Sequence, residues 1–177
     1  MTEQTLTAKQ TQEIERLFQL GAHLGHKKNR LHPKARKFIY KIVNGVSIID
    51  LTKTVTHLDT AKKLLKEYAK EGKVILVVVT KKVANHEAYE ICKTNDIPCI
   101  TTKWLPGLLT NFETIMKNVK KLQTYKEQQI TGEWDKFVKH ERIQLSKEMV
   151  KLEKLYGGLL NLKKKPDALF IVDIKKE

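Results

Sequence analysis

Cysteine is scarce in this chain: Cys92 and Cys99 are the only two among 177 residues. One falls in a helical pattern and the other in a strand pattern, so the sequence predicts no disulfide between them. Isolated thiols with apolar neighbours read as reduced core residues. Proline is nearly as rare, at four residues, and aromatic residues make up 7%. No uninterrupted apolar run is long enough to span a bilayer. The opening stretch carries Glu3, Glu13 and Glu15 and lacks the apolar centre of a secretory signal. These absences predict a soluble, intracellular protein. Acidic residues are also in deficit: 20 Asp and Glu face 34 Lys and Arg, a net charge of +14. Such an excess attracts polyanions, because each cation that neutralises a phosphate releases a condensed counterion. A Lys-rich surface can also reflect a biased genome, so charge alone favours nucleic acid without excluding a generic basic protein.

Catalytic signatures are missing too. There is no G-x-x-x-x-G-K-[ST], no G-x-G-x-x-G and no G-x-S-x-G, so neither phosphate cradle nor nucleophile elbow is present. Ligands of doubly wound sheets sit beyond the carboxyl ends of the strands. Here those ends carry Thr80-Lys81-Lys82 and Thr102-Lys103-Trp104, with no nucleophile and base, and no acidic ligand for magnesium. The sequence therefore predicts no catalytic residue, no cofactor and no small-molecule substrate. The rival reading is a flavodoxin-like nucleotide- or flavin-binding module, which needs an acidic or Gly-rich strand terminus. His23-x-x-His26, with His32 nearby, is a weak metal signal, because zinc usually takes four ligands. Local hydrogen bonding, or stacking on a base, is the better expectation for these rings.

The apolar share of 41% supports a real core. Residues 1–12 are polar and read as a flexible N-terminus, leaving 13–177 as a single α/β domain. A short amphipathic helix is expected around 13–20, ending at Gly21. Residues 22–38 read as irregular and basic. Two short strands then flank Asn44-Gly45, the pair that best fits a type I′ turn. A helix is expected over 53–71, a strand covered on both faces at 74–80, a helix at 82–94 with Ala84, Ala88, Ile91 and Cys92 inward, and a strand at 97–102. Two successive βαβ units imply a three-layer α/β sandwich. Residues 112–127 and 141–156 carry apolar stripes at helical spacing and predict an antiparallel helical hairpin inserted at about 112–156. A last buried strand is expected at 167–173, with the sheet poorly covered beyond it.

The densest chemistry lies in the loop bearing Lys27, Lys28, Arg30, Lys34, Arg36 and Lys37. A charge run is most often a solvated face. This one is punctuated by Gly and Pro, interleaved with His26, Asn29 and His32, and set beside a tight hairpin. Rigid loops displaying cations and hydrogen-bonding planes suit irregular RNA, which is read by shape, phosphates and splayed bases. The six cations are the expected phosphate clamps, with His26 and Asn29 reaching riboses or bases and Asn44 shaping the hairpin. Lys81, Lys82 and Lys103 extend the basic edge. Asn111, with Thr110, is a candidate helix cap and also a candidate RNA contact. Trp104 is expected to pack partly inside.

Seven ordered segments carry a resemblance: GAHLGH (21–26), HPK (32–34), NGVSIIDL-x-KT (44–54), TKK (80–82), KWLPGLLTN (103–111), LEKLYGG (152–158) and PDALFIVD (166–173). In their order and spacing the sequence resembles the S-two family of small-subunit ribosomal proteins, of bacterial or organellar type. It departs from that pattern at Lys103, where Arg is usual, at Pro106, where Gly is usual, and at His32, where Asn is usual. The resemblance implies a flavodoxin-like three-layer α/β/α fold with a mostly parallel sheet, an N-terminal β-hairpin and a protruding coiled-coil hairpin. It implies a structural constituent of the small subunit at the head–body junction, cytoplasmic or organellar. Its expected partners are small-subunit rRNA and other small-subunit ribosomal proteins, with no membrane among them. In bacteria such a protein helps recruit the subunit's large first protein, which captures messenger RNA. The family also continues past 173 through another helix and strand, so this chain is expected to match its front portion.

Overall fold

The computed structural model describes residues 8–174. Contacts divide the chain between Glu67 and Tyr68 into two compact units. Of the N-terminal stretch expected to be flexible, residues 1–7 lie outside the described residues. From Ala8 onward the chain is helical, and α1 covers Ala8–Gln19.

In the first unit α1 is followed by three strands, β1 (Leu24–Lys27), β2 (Ile39–Val43) and β3 (Val46–Ile49), and by α2 (Leu51–Lys70). The sheet is antiparallel, in the order β1-β3-β2. The expected hairpin is present: Val43 faces Val46 across a turn in which Asn44 and Gly45 have φ of 49° and 77°. These are the positive values a type I′ turn demands. The strand β1 corrects the expectation of an irregular segment. Leu-Gly-His-Lys has no alternating apolar pattern, so nothing local announces it. Long-range bonds make it: Ile49 N–H donates to the His23 carbonyl at 2.8 Å, and Lys28 N–H to the Gly45 carbonyl at 2.8 Å. The fully buried Ser47 adds its hydroxyl, donating to the His26 carbonyl at 2.6 Å.

With β1 and β2 on its two sides, β3 has no free edge. It therefore does not form the first of the two βαβ units expected from the helix–strand alternation, and β4 (Ile75–Val78) belongs to a different sheet. The helix α2 starts at Asp50, whose carboxylate accepts the N–H groups of Thr52 (3.1 Å) and Lys53 (3.4 Å), an N-cap. Leu51 and Val55 point inward from α2. With Ser47 they are the buried side chains among this unit's described residues.

The second unit is built on a parallel sheet in the order β5-β4-β6, with β5 at Cys99–Ile100 and β6 at Ala168–Ile171. The crossover from β4 to β5 is α3 (Asn85–Thr94). Then come α4 (Phe112–Ile130) and α5 (Lys139–Tyr156), packed against each other as the expected hairpin. Ile115, Val119 and Leu122 of α4 meet Met149 and Tyr156 of α5 in a core that also takes Leu76 and Val78 of β4, Ile100 of β5 and Trp134 of the connecting turn. The seam is laced on its outside by Lys121–Glu148 and Lys126–Glu153 ion pairs, both at 2.6 Å.

Three expectations about burial are corrected here. In β4 Leu76 and Val78 are fully buried while Ile75 and Val77 are half-buried, so the cover is unequal on the two faces. In β6 Leu169 and Phe170 are 37% and 40% exposed, because among the described residues β6 is an edge strand with β4 alone as neighbour. On α3 Cys92 is buried but Ile91 is 61% exposed, since a ten-residue helix has one face to turn toward β5 and Cys92 holds it.

Two bare backbones matter to this packing. A Cβ on Gly158 would strike the Cys99 carbonyl and lie 2.9 Å from its Sγ. A Cβ on Gly25 would stand 2.6 Å from Ser47 Oγ and 2.8 Å from the Ser47 carbonyl oxygen. Only glycine lets these backbones approach so closely.

Candidate nucleic-acid interface

Lys27 ends β1, and Lys28, Asn29 and Arg30 form a single 3-10 turn directly after it. The bond from Lys28 N–H to the Gly45 carbonyl fastens this turn to the tip of the β2–β3 hairpin. The result is an open concavity of about 510 Å³ lined by Lys27, Lys28, Asn29, Asn44, Gly45 and Val46. Residues far apart in sequence thus meet: two ammonium groups, two amides and the bare backbone of a turn. That combination offers charge for phosphate and donor–acceptor groups for ribose or base.

The second half of the loop is equally ordered. His32 caps a 3-10 segment, Pro33–Phe38, its Nδ1 accepting the Lys34 N–H at 3.2 Å. This is the local hydrogen-bonding role expected for one of the three imidazoles. His23 instead stacks on Phe18, with ring centroids 4.2 Å apart. His26 is exposed, and its carbonyl is held by Ser47. Among the described residues no three His, Cys, Asp or Glu side chains gather as metal ligands. Lys53 Nζ donates to the Lys37 carbonyl at 2.8 Å, tying the end of the basic segment to the start of α2.

Lys27, Lys28, Arg30, Lys34, Arg36 and Lys37 are all exposed. From residue 21 to residue 49 the chain contains no Asp or Glu. Among the described residues none of the six cations is ion-paired. Unpaired cations held on short, bonded turns can exchange counterions for phosphates without first breaking a salt bridge.

The remaining predicted residues belong to the second unit. Lys81 follows β4 and is partly neutralised by Asp173, 3.1 Å from its Nζ. Lys82 and Lys103 are exposed beyond the ends of β4 and β5. Asn111 stands at the N-cap position of α4, but its side chain accepts the Thr114 hydroxyl at 2.8 Å and makes no cap bond to backbone. Trp104 is half-buried against the core, as expected.

Sequence reasoning passed over Tyr40 and Lys41. They sit in an apolar-looking strand, and a period-2 pattern reads as half-buried whether or not a partner layer exists. Both are exposed, Tyr40 by 70%.

No described helix is long and apolar enough to cross a membrane. Residues 17–177 match the model of the family described as Ribosomal protein S2. The chain is 37% identical over 161 residues to small ribosomal subunit protein uS2 of Helicobacter acinonychis, covering 91% of this chain and 65% of that protein. The Wolinella succinogenes protein of the same name is likewise 37% identical, over 91% of this chain and 59% of its own length. That of Porphyromonas gingivalis is 39% identical over 164 residues, 93% of this chain and 58% of its own. The chain thus spans less than two thirds of the length of these relatives. With the family pattern running through nearly all of its residues, the chain belongs to the ribosomal protein S2 family.

Proposed function

We propose that this chain is a structural constituent of the small ribosomal subunit that binds small-subunit rRNA and lies beside other small-subunit proteins. Its place of work is the ribosome, in the cytoplasm or in an organelle, and its role is non-enzymatic. The carrying observation is the concavity at Lys27, Lys28, Asn29 and Asn44, with unpaired cations and no carboxylate within the whole segment that builds it. The names of the relatives, small ribosomal subunit proteins, support the same reading. So do the termini of β4 and β5, which carry Lys81, Lys82 and Lys103 where a nucleotide-binding sheet would carry glycines or an acid. We also propose the finer architecture, a flavodoxin-like α/β/α domain over 13–177 with the α4–α5 hairpin as an insertion. The parallel order β5-β4-β6 and the α3 crossover support it.

The test is sedimentation through a sucrose gradient with small subunits lacking the family's own protein. The wild-type chain is expected to travel with the subunit, and Lys27/Lys28/Arg30→Ala to stay near the top. A wild-type chain that remains at the top, or a triple variant that sediments normally, overturns the assignment.

A further inference from the structure

Among the described residues the strand β2 is an edge of its sheet, and all of its residues after Ile39 are exposed. Tyr40 is 70% exposed, Ile42 40% and Val43 39%. A single exposed apolar side chain is ordinary. Three in one five-residue strand, with Ile42 and Val43 turned to opposite faces, leave an apolar edge that would otherwise invite pairing. Cations are interleaved with it. Lys41 Nζ lies 5.8 Å from the centroid of the Tyr40 ring, and Lys37 Nζ lies 5.0 Å from that of Phe38.

The sheet register connects this surface to the concavity. Val43 faces Val46, and Val46 faces Lys27 on β1, so one rung of the sheet runs from β2 to the basic turn. Tyr40 stands three residues along β2 from that rung, beside a register irregularity between Ile39 and Lys41; with Lys27 two strands across, the strand rise and spacing put the two backbones roughly 14 Å apart. A phenol ring at that distance from a phosphate-binding turn, with an ammonium group at its side, is how proteins hold unstacked nucleotides. The base lies on the aromatic face while cations take the adjoining phosphates. Every charged side chain between residues 21 and 49 is a cation, and that unbalanced charge around the exposed ring favours a polyanion.

Resting on the RNA reading above, we propose that Tyr40 is a stacking platform for an unpaired base of small-subunit rRNA, with Lys41 holding a neighbouring phosphate.

The experiment measures binding of the full chain to a small-subunit rRNA transcript across a salt series, for wild type, Tyr40→Ala, Tyr40→Leu, Tyr40→Phe and Lys41→Ala. Stacking is not ionic. Tyr40→Ala and Tyr40→Leu should therefore weaken binding about 5-fold or more at every salt concentration, with the slope of log K against log salt unchanged. Tyr40→Phe should bind as wild type, because it keeps the aromatic face. Lys41→Ala should flatten the slope. Wild-type affinity in both Tyr40→Ala and Tyr40→Leu overturns the proposal, as does Tyr40→Phe failing as badly as Tyr40→Ala. So does normal RNA affinity combined with lost association with protein-containing subunits, which marks a protein contact. A wild-type chain that does not bind RNA overturns the interface and this contact together, whereas unaffected Tyr40 variants of a binding chain overturn this contact alone.

Discussion

Gly25 and Ser47 are locked together across β1 and β3: a methyl group on Gly25 would stand 2.6 Å from the Ser47 hydroxyl, which is itself committed to the His26 carbonyl. The contact fixes where β1 runs, and β1 delivers Lys27 and the turn after it to the hairpin tip. Gly25→Ala forces these two strands apart. Overpacking of this kind costs about 1–3 kcal/mol, to be read as a lowered midpoint in urea, and RNA affinity should fall with it. Adding Ser47→Ala should recover only part of the loss, because the Ser47 carbonyl oxygen is also 2.8 Å from the same point.

Charge at the interface should be legible in salt dependence. Lys27 and Lys28 are each proposed to hold one phosphate, so replacing either by Ala should flatten the slope of log K against log salt by about 0.7 to 0.9. Lys81→Ala should change it less, since Asp173 already neutralises that ammonium group. Filter binding at several salt concentrations measures both. Equal slopes for all three variants would contradict the assignment of the basic turn.

Acid stability should hinge partly on Asp167. Its carboxylate accepts the Val74 N–H at 2.8 Å and meets Lys164 Nζ at 2.9 Å, joining the start of β6 to the start of β4. The Val74 bond first, then Lys164, hold its pKa below the ordinary value. A depressed pKa in the fold means a contribution fully present above the unfolded pKa and lost as pH falls through the folded one. Thermal midpoints should therefore drop as pH is lowered from about 5, and Asp167→Asn should flatten that drop while lowering the midpoint at neutral pH. The Glu148 carboxylate, held low by Lys121 and Tyr125, acts in the same direction and should leave a residual slope.

Thiol chemistry should report the second core. Cys92 and Cys99 are free and buried. Burial first, then the neighbouring Cys92 sulfur, pushes Cys99 up to about 12. Because the thiolate is the reactive form, an aromatic disulfide reagent at neutral pH should leave Cys99 untouched in the native chain and react with both thiols after denaturation. Gly158→Ala, which drives a methyl group into the Cys99 backbone, should speed the native reaction by loosening this contact. Rapid native labelling of the wild type would contradict the packing.

How much was legible in advance can be argued from these same residues. The seam of α4 and α5 was open to reading because Ile115, Val119, Leu122, Leu145, Met149 and Leu152 repeat at helical spacing, and that pattern is a property of the local chain. The Asn44-Gly45 turn was open for a similar reason, since positive φ is local chemistry. The strand β1 was not. Leu-Gly-His-Lys becomes a strand only when β3 offers its free edge, and partner choice is not written within four residues. The outward faces of Tyr40, Ile91 and Phe170 were hidden by the same limitation: an apolar residue declares what it could bury, not whether a neighbouring layer exists to bury it.

For the site, the amino-acid order alone determined that a carboxylate-free run of lysine and arginine would be displayed beside a hairpin, and that family membership would run through it. Tertiary structure decided which of those cations share a concavity, that Lys81 is answered by Asp173, and that Tyr40 is left uncovered. The physical reason is range. Composition, periodicity and turn preference act over a few residues, whereas strand partnership, ion pairing and burial are settled between segments that meet only once the chain has folded.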